Sequence, residues 1–436
     1  MNGCTALTTT PAFYSNNAFG GAISCMERMF AGCTSLTDAS NINISAEVDI
    51  KANCFKEMFS DCSGLIKTFQ LPKATTSLNE SAYEGMFKNC IKLTEITNSE
   101  ESVFLSTKIA KNCYKEMFAG CTNFQQVLKL PATILAESCY EGMFKDCLNL
   151  KTAPALPATT LAINCYKNMF SGCESLSEIP VLPATSNTYP GSYQEMFSDC
   201  IALTNISSLA ALSAIVIPSA GYAGMFKGCN RLQKVGNIFN INDNTKFTLS
   251  NDCCSGMFED CYELSDISEF KFPVLMNNNQ FDRAFNSMFA NCSNLTTLMS
   301  SLVYPDYRPN GKFNGGSHVY EKLFDGCSEL TETPKLIFPA YSGDMDDYAE
   351  LLTTQEFNGM FANCTSLSTI YTEGKLNDYL INDIENPSGF TGWLYNVAET
   401  GTFYTDTPII STYIRRGPDT IPSGWIISGY PEEPTK

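Results

Sequence analysis

Histidine is almost missing from this 436-residue chain, with His318 the single copy. No CxxC pair accompanies it, so the usual nitrogen and sulfur sets for zinc are absent. No GxSxG or other nucleophile signature occurs, and paired carboxylates fall only in acidic stretches, which leaves hydrolysis and general acid–base chemistry without an anchor. No run of 18 apolar residues is present, which argues against direct insertion into a membrane. The opening MNGCTALTTT lacks the basic and apolar regions of a secretion signal. Basic residues are scarce too: 28 Lys and Arg stand against 46 Asp and Glu, a formal net charge of -18. Nucleic acid and other polyanions would be repelled and are not expected as partners. No catalytic residue, metal or cofactor is expected.

What the chain has instead is a repeat. Thirteen cysteines, from Cys4 to Cys364, each follow Gly, Asp or Asn and precede Leu or Phe by three residues. Twelve of them also have Phe three residues earlier, from Phe30 to Phe361, and the interval between these Phe residues runs from 26 to 37. Self-similarity at this scale marks a solenoid, whose units bury their apolar sides only against neighbours. Cys4 carries only the later half of the unit, so the chain is expected to open inside a coil. An uncovered strand edge there would favour end-to-end self-association.

In the unit from Cys165 to Pro183, Tyr166, Phe170 and Cys173 stand at i, i+4 and i+7, which predicts a short helix with all three facing inward. The Gly, Asp or Asn before each motif cysteine is the type that tolerates a left-handed backbone, and is expected to stop that helix. Leu176, Ile179 and Leu182 then fit one strand of a parallel ladder, ended by prolines such as Pro157 in the preceding unit. The predicted fold is a repeat solenoid of about thirteen coils, α/β, with a parallel strand ladder and short helices.

The 20 cysteines sit mostly at two phases of the repeat. Cys25, Cys54, Cys113, Cys139, Cys165 and Cys253 lie eight residues before a motif cysteine, where other units carry Ala82, Ser192, Gly221 or Ala284. Interchange with small residues says that size matters there, so free thiols acting as small apolar groups are expected. The Phe and Tyr columns read as core rather than as a glycan-binding strip.

After Cys229 the units lengthen, and the added residues all enter at one phase, so they should emerge on one face. The two longest additions, 302–318 and 337–355, hold the candidate ligand-binding residues Tyr304, Tyr307, Arg308, Tyr341, Asp344, Asp346, Asp347 and Tyr348. The Asp spacing lacks the glycine and terminal glutamate of an EF-hand loop, so no calcium site is expected. The unit reading FTGWLYNV at 390–397 has no cysteine, and 390–427 is expected to cap the array over residues 1–389, with 428–436 a linker or disordered tail.

At MFAGCTSLT (29–37), MFSGCESLSEIPVLP (169–183) and GTFYTDTP (401–408) the chain resembles the BspA-like leucine-rich-repeat family, common in surface proteins of gut and oral Bacteroidetes and found in some of their phages. The resemblance spans essentially residues 1–427. It implies an atypical leucine-rich-repeat solenoid without catalytic residues, and a cell-surface or extracellular adhesion module binding host or bacterial surface proteins or glycans. The alternative expectation is a phage virion component, a tail or fibre protein, which would fit an unsigned N-terminus.

Overall fold

A computed structural model describes residues 1–15, 22–44, 47–48, 50–74, 78–97, 107–182, 188–206, 212, 216–239, 241, 247–273, 281–303, 317–337, 357–373, 390–406, 417 and 421–430. The chain forms two units, 1–214 and 215–436. Each is a solenoid of parallel-stacked coils. The predicted short helices are not formed: among the described residues the motif from Tyr114 to Cys121 and its equivalents is a run of tight turns.

The reason lies in the backbone. Asn112, Glu116 and Gly120 have φ of 54°, 53° and 73°, and the same four-residue spacing of left-handed residues recurs in the other coils. An α-helix needs consecutive right-handed residues, so it cannot pass through them. Amides instead alternate. Lys115, Met117, Ala119 and Cys121 donate to the carbonyl three residues back, at 3.0 to 3.2 Å. Tyr114, Glu116, Phe118 and Gly120 donate to Cys139, Glu141, Met143 and Lys145 of the next coil, at 2.8 to 3.0 Å. Each coil is thereby hydrogen-bonded to its neighbour along a rail of turns, which offsets the roughly 1 kcal/mol that a left-handed non-glycine residue costs. The residue before every motif cysteine, from Gly3 to Asn363, has the positive φ that its residue type suggested.

The turn rail presents its apolar residues inward. In unit 1, Phe30, Phe59, Phe87, Phe118, Phe144, Phe170 and Phe197 stack as a column with centroids 5.4 to 5.8 Å apart. Tyr83, Tyr114, Tyr140, Tyr166 and Tyr193 form a second column at 5.7 to 6.0 Å. Unit 2 repeats the Phe column from Phe226 to Phe361, and Trp393 takes the next place, 6.4 Å away and tilted by 63°. All of these Phe rings are buried, so the column is core as expected.

The motif cysteines do more than fill space. Cys62, Cys90, Cys121, Cys147, Cys173 and Cys200 each point Sγ at the carbonyl of the preceding coil's Phe, at 2.9 to 3.2 Å. Burial pushes the Cys147 thiol well above its ordinary value, which keeps it a protonated donor. Cys25 and Cys54, register neighbours in successive coils, are joined as a disulfide, whereas the other 18 cysteines are free.

On the side of the coil after the motif, Leu176, Ile179 and Leu182 are all buried, yet they form no strand. Their spacing of three does not match the period of two that a ladder demands. Among the described residues unit 1 has isolated parallel bridges, such as Lys108 with Ile134, and short pairs, β1 (Phe13–Ser15) with β2 (Ile42–Ile44) and β3 (Glu47–Val48) with β4 (Lys73–Ala74). Unit 2 has β5 (Val216–Ile217) with β6 (Thr248–Leu249), then a five-stranded parallel sheet. Its strands are β7 (Ser301–Val303), β8 (Glu332–Ile337), β9 (Thr369–Glu373), β10 (Gly401–Thr405) and β11 (Trp425–Gly429), in that spatial order.

Candidate ligand-binding surface

The five-stranded sheet has one buried and one open face, and its strands alternate accordingly. Leu336, Ile370, Thr372, Phe403, Thr405 and Trp425 point into unit 2 and are buried. Outward, register places Lys335 beside Tyr371 and Tyr371 beside Tyr404, with Ser428 next in line. A second row runs from Glu332 through Thr369 and Thr402 to Ile426, which is 67% exposed.

Tyrosine dominates the first row. The Tyr371 and Tyr404 rings stack at 5.2 Å with 10° between planes, and Tyr430 lies against Tyr371 at 6.2 Å and 9°. The Tyr430 hydroxyl donates to the Thr372 carbonyl at 2.9 Å, and Lys335 Nζ lies 5.0 Å from its ring centre. Lys335 also pairs with Glu373, its diagonal neighbour. Burial raises the Tyr371 hydroxyl above its usual range, helped by the negative charge of Glu332. Burial and then Glu373 push Tyr430 up to about 12, so all its contacts are made as neutral phenol at physiological pH. The result is a rigid, part-exposed aromatic cluster flanked by carboxylates and one paired ammonium. Such a surface offers wide apolar contact at low conformational cost, with hydroxyl groups to fix orientation.

The eight residues singled out from sequence, Tyr304, Tyr307, Arg308, Tyr341, Asp344, Asp346, Asp347 and Tyr348, lie outside the described residues. In sequence the first of them, Tyr304, follows β7 directly, and the second group begins at Tyr341, four residues after the end of β8. The Tyr371, Tyr404 and Tyr430 cluster was not legible as a site. Its signal was available in TIYTE and GTFYT, where a tyrosine sits between two inward residues of a strand. Among the described residues no group of three or more His, Cys, Asp and Glu side chains is placed to hold a metal ion. No helix among them is long and apolar enough to cross a membrane.

Residues 17–116 and 86–233 match the sequence profile of the BspA type leucine rich repeat region, in six copies. A comparison with curated proteins finds no significant match. Among solved structures, a pneumococcal vaccine antigen, PcpA, is 15% identical, with 97% of this chain and 85% of that one aligned at a TM-score of 0.29. TLR13 in complex with ssRNA13 is 14% identical over 95% of this chain at a TM-score of 0.26. The ectodomain of the Arabidopsis thaliana receptor kinase GASSHO1/SCHENGEN3, in complex with CASPARIAN STRIP INTEGRITY FACTOR 2, is 12% identical over 86% at 0.23. This chain spans 48% of the length of the TLR13 chain and 40% of that of the plant receptor.

Proposed function

Because the chain belongs to the BspA-type leucine-rich-repeat family, we propose that it is a non-enzymatic binding module, displayed on a bacterial surface, that grips a protein partner through the open face of β8 to β11. The observation that carries this reading is the stacked cluster of Tyr371, Tyr404 and Tyr430 on an otherwise ordinary sheet face. Tyrosine side chains held rigid by one another, beside paired charges, are the pattern of residues that dominate protein interfaces. The excess of acid over base in the whole chain favours a partner with a basic contact surface. Host or bacterial surface proteins are the partner class.

The test is a binding screen against immobilised host matrix proteins, mucin and bacterial glycans with the parent chain and a Tyr371→Ala/Tyr404→Ala variant. Both side chains face outward, so the variant keeps the inward core. Protein binding that falls by about tenfold or more in the variant supports the reading, since two central interface tyrosines each carry roughly 1 to 2 kcal/mol. Binding unchanged by the double substitution, or confined to glycans, overturns it. A second variant with 302–318 and 340–354 shortened asks whether the segments following β7 and β8 contribute to the same partner.

A further inference from the structure

Among the described residues, the parallel ladder of unit 2 has a free edge at β7. On one side β7 pairs with β8 through Ser301 with Lys335, Leu302 with Leu336 and Val303 with Ile337. The Ser300 carbonyl accepts the Lys335 amide at 3.1 Å. Successive residues of a strand turn their amide groups to opposite sides, so the N–H and C=O of Ser301 and Val303 point away from β8. The preceding coil stays in register as far as the bridge between Asp266 and Thr297 and the bond from the Ile267 amide to the Thr297 carbonyl at 2.8 Å. Beyond that the two segments diverge, and among the described residues no backbone bond joins 268–273 to β7.

A cavity of about 410 Å³ opens between them. Phe270, Phe272, Met299, Leu302 and Tyr320 supply its apolar wall. Lys271, also on the wall, is exposed and has no carboxylate partner among the described residues, whereas neighbouring Glu269 is held by Lys234 at 2.9 Å. Free main-chain donors and acceptors, an apolar slot and one unpaired cation make a particular combination. We propose that this is a β-augmentation slot, in which an extended peptide carrying a carboxylate side chain adds as a strand to the outer edge of β7, its acid on Lys271. The volume falls within the range of roughly 300 to 1,000 Å³ typical of ligand sites. Main-chain pairing with Ser301 and Val303 supplies affinity, and the apolar wall and Lys271 supply selectivity. This site is separate from the tyrosine face, and neither reading depends on the other.

The probe is a fluorescent, end-capped hexapeptide of alternating valine and threonine with one central glutamate, compared with versions carrying lysine or proline at that position. Fluorescence anisotropy should show saturable binding of the glutamate peptide, and binding of the lysine and proline versions at least about tenfold weaker. Lys271→Glu should invert the preference between glutamate and lysine peptides. Ser301→Pro removes an amide that faces the cavity and none that faces β8, and should weaken binding by a similar factor. Because Lys271 is a surface residue, the charge swap reads the site even if Ser301→Pro disturbs the strand. Hydrogen exchange followed by mass spectrometry should show residues 299–303 slowed when the glutamate peptide is added. Three results would each overturn the proposal. They are slow exchange at Ser301 and Val303 in the free protein, meaning that the edge is already covered by the chain itself; no saturable binding at millimolar peptide; and equal binding of all three peptides.

Discussion

Replacing Cys147 by serine and by alanine separates two accounts of the motif cysteine. Its side chain is fully buried, and its Sγ lies 3.2 Å from the Phe118 carbonyl, which also accepts the Cys121 amide at 3.0 Å. Alanine deletes one sulfur, worth about 0.8 kcal/mol of transfer free energy if counted like a methylene. It also deletes a hydrogen bond of about 0.5 kcal/mol, at the weak end because the carbonyl keeps another donor and the thiol is a poor one. The small void left behind adds about 0.5 kcal/mol. The total is about 2 kcal/mol. Serine loses the same apolar transfer but keeps a donor aimed at the same oxygen, and should cost about 1 to 1.5 kcal/mol. Were the cysteine only a small apolar group, serine would be the worse replacement, since it would bury an unpaired hydroxyl. Urea unfolding of both variants, followed by circular dichroism under reducing conditions, ranks them. A serine variant less stable than the alanine variant by more than about 0.5 kcal/mol would refute the donor role.

Alkaline pH should weaken the fold. Burial raises Cys62, Cys121 and Cys165 to about 12. The unfolded chain therefore loses these protons first, and stability present below about pH 8.5 declines above it, by about 1.4 kcal/mol per pH unit for each such thiol until pH nears 12; a urea midpoint unchanged between pH 7 and pH 10 would contradict this. Gly64→Ala would bring its Cβ to 2.6 Å from the Thr34 carbonyl of the preceding coil, so a loss of about 2 kcal/mol or more is expected in thermal unfolding, well beyond that of a surface Gly→Ala change. Lys115 pairs with Glu141 at 3.1 Å, and Lys56 pairs with Glu84 at the same phase of earlier coils. Lys115→Glu should cost about 0.5 to 1 kcal/mol, measurable by urea unfolding and largely relieved by high salt.

The stacked Phe column was legible because a residue kept at one phase through twelve units has few roles other than core. The Gly, Asp and Asn positions before each cysteine were legible because those side chains tolerate a left-handed backbone, and all of them adopt it. The helix was misread for a specific reason. Tyr166, Phe170 and Cys173 fit one face of a 3.6-residue helix, but over seven residues a four-residue turn repeat produces the same inward set. What tells the two apart is the other phase, where Asn164, Asn168 and Gly172, or Asp252, Gly256 and Asp260, recur every fourth residue. The tyrosine cluster was hidden because its members come from β9, β10 and the residue just after β11, and only the register brings Tyr371 beside Tyr404.

The rail of turns also bears on how such a chain changes over generations. Phe144 and Phe170 lie 26 residues apart and their rings 5.7 Å apart, while Phe324 and Phe361 are separated by 37 residues and 5.5 Å. Eleven further residues in a coil leave the stacking distance of the rail untouched. The seam thus acts as a binding spine on which pages of unequal width can be gathered. Residues added between one rail segment and the next can be sampled by selection while the rail keeps its stacking distance.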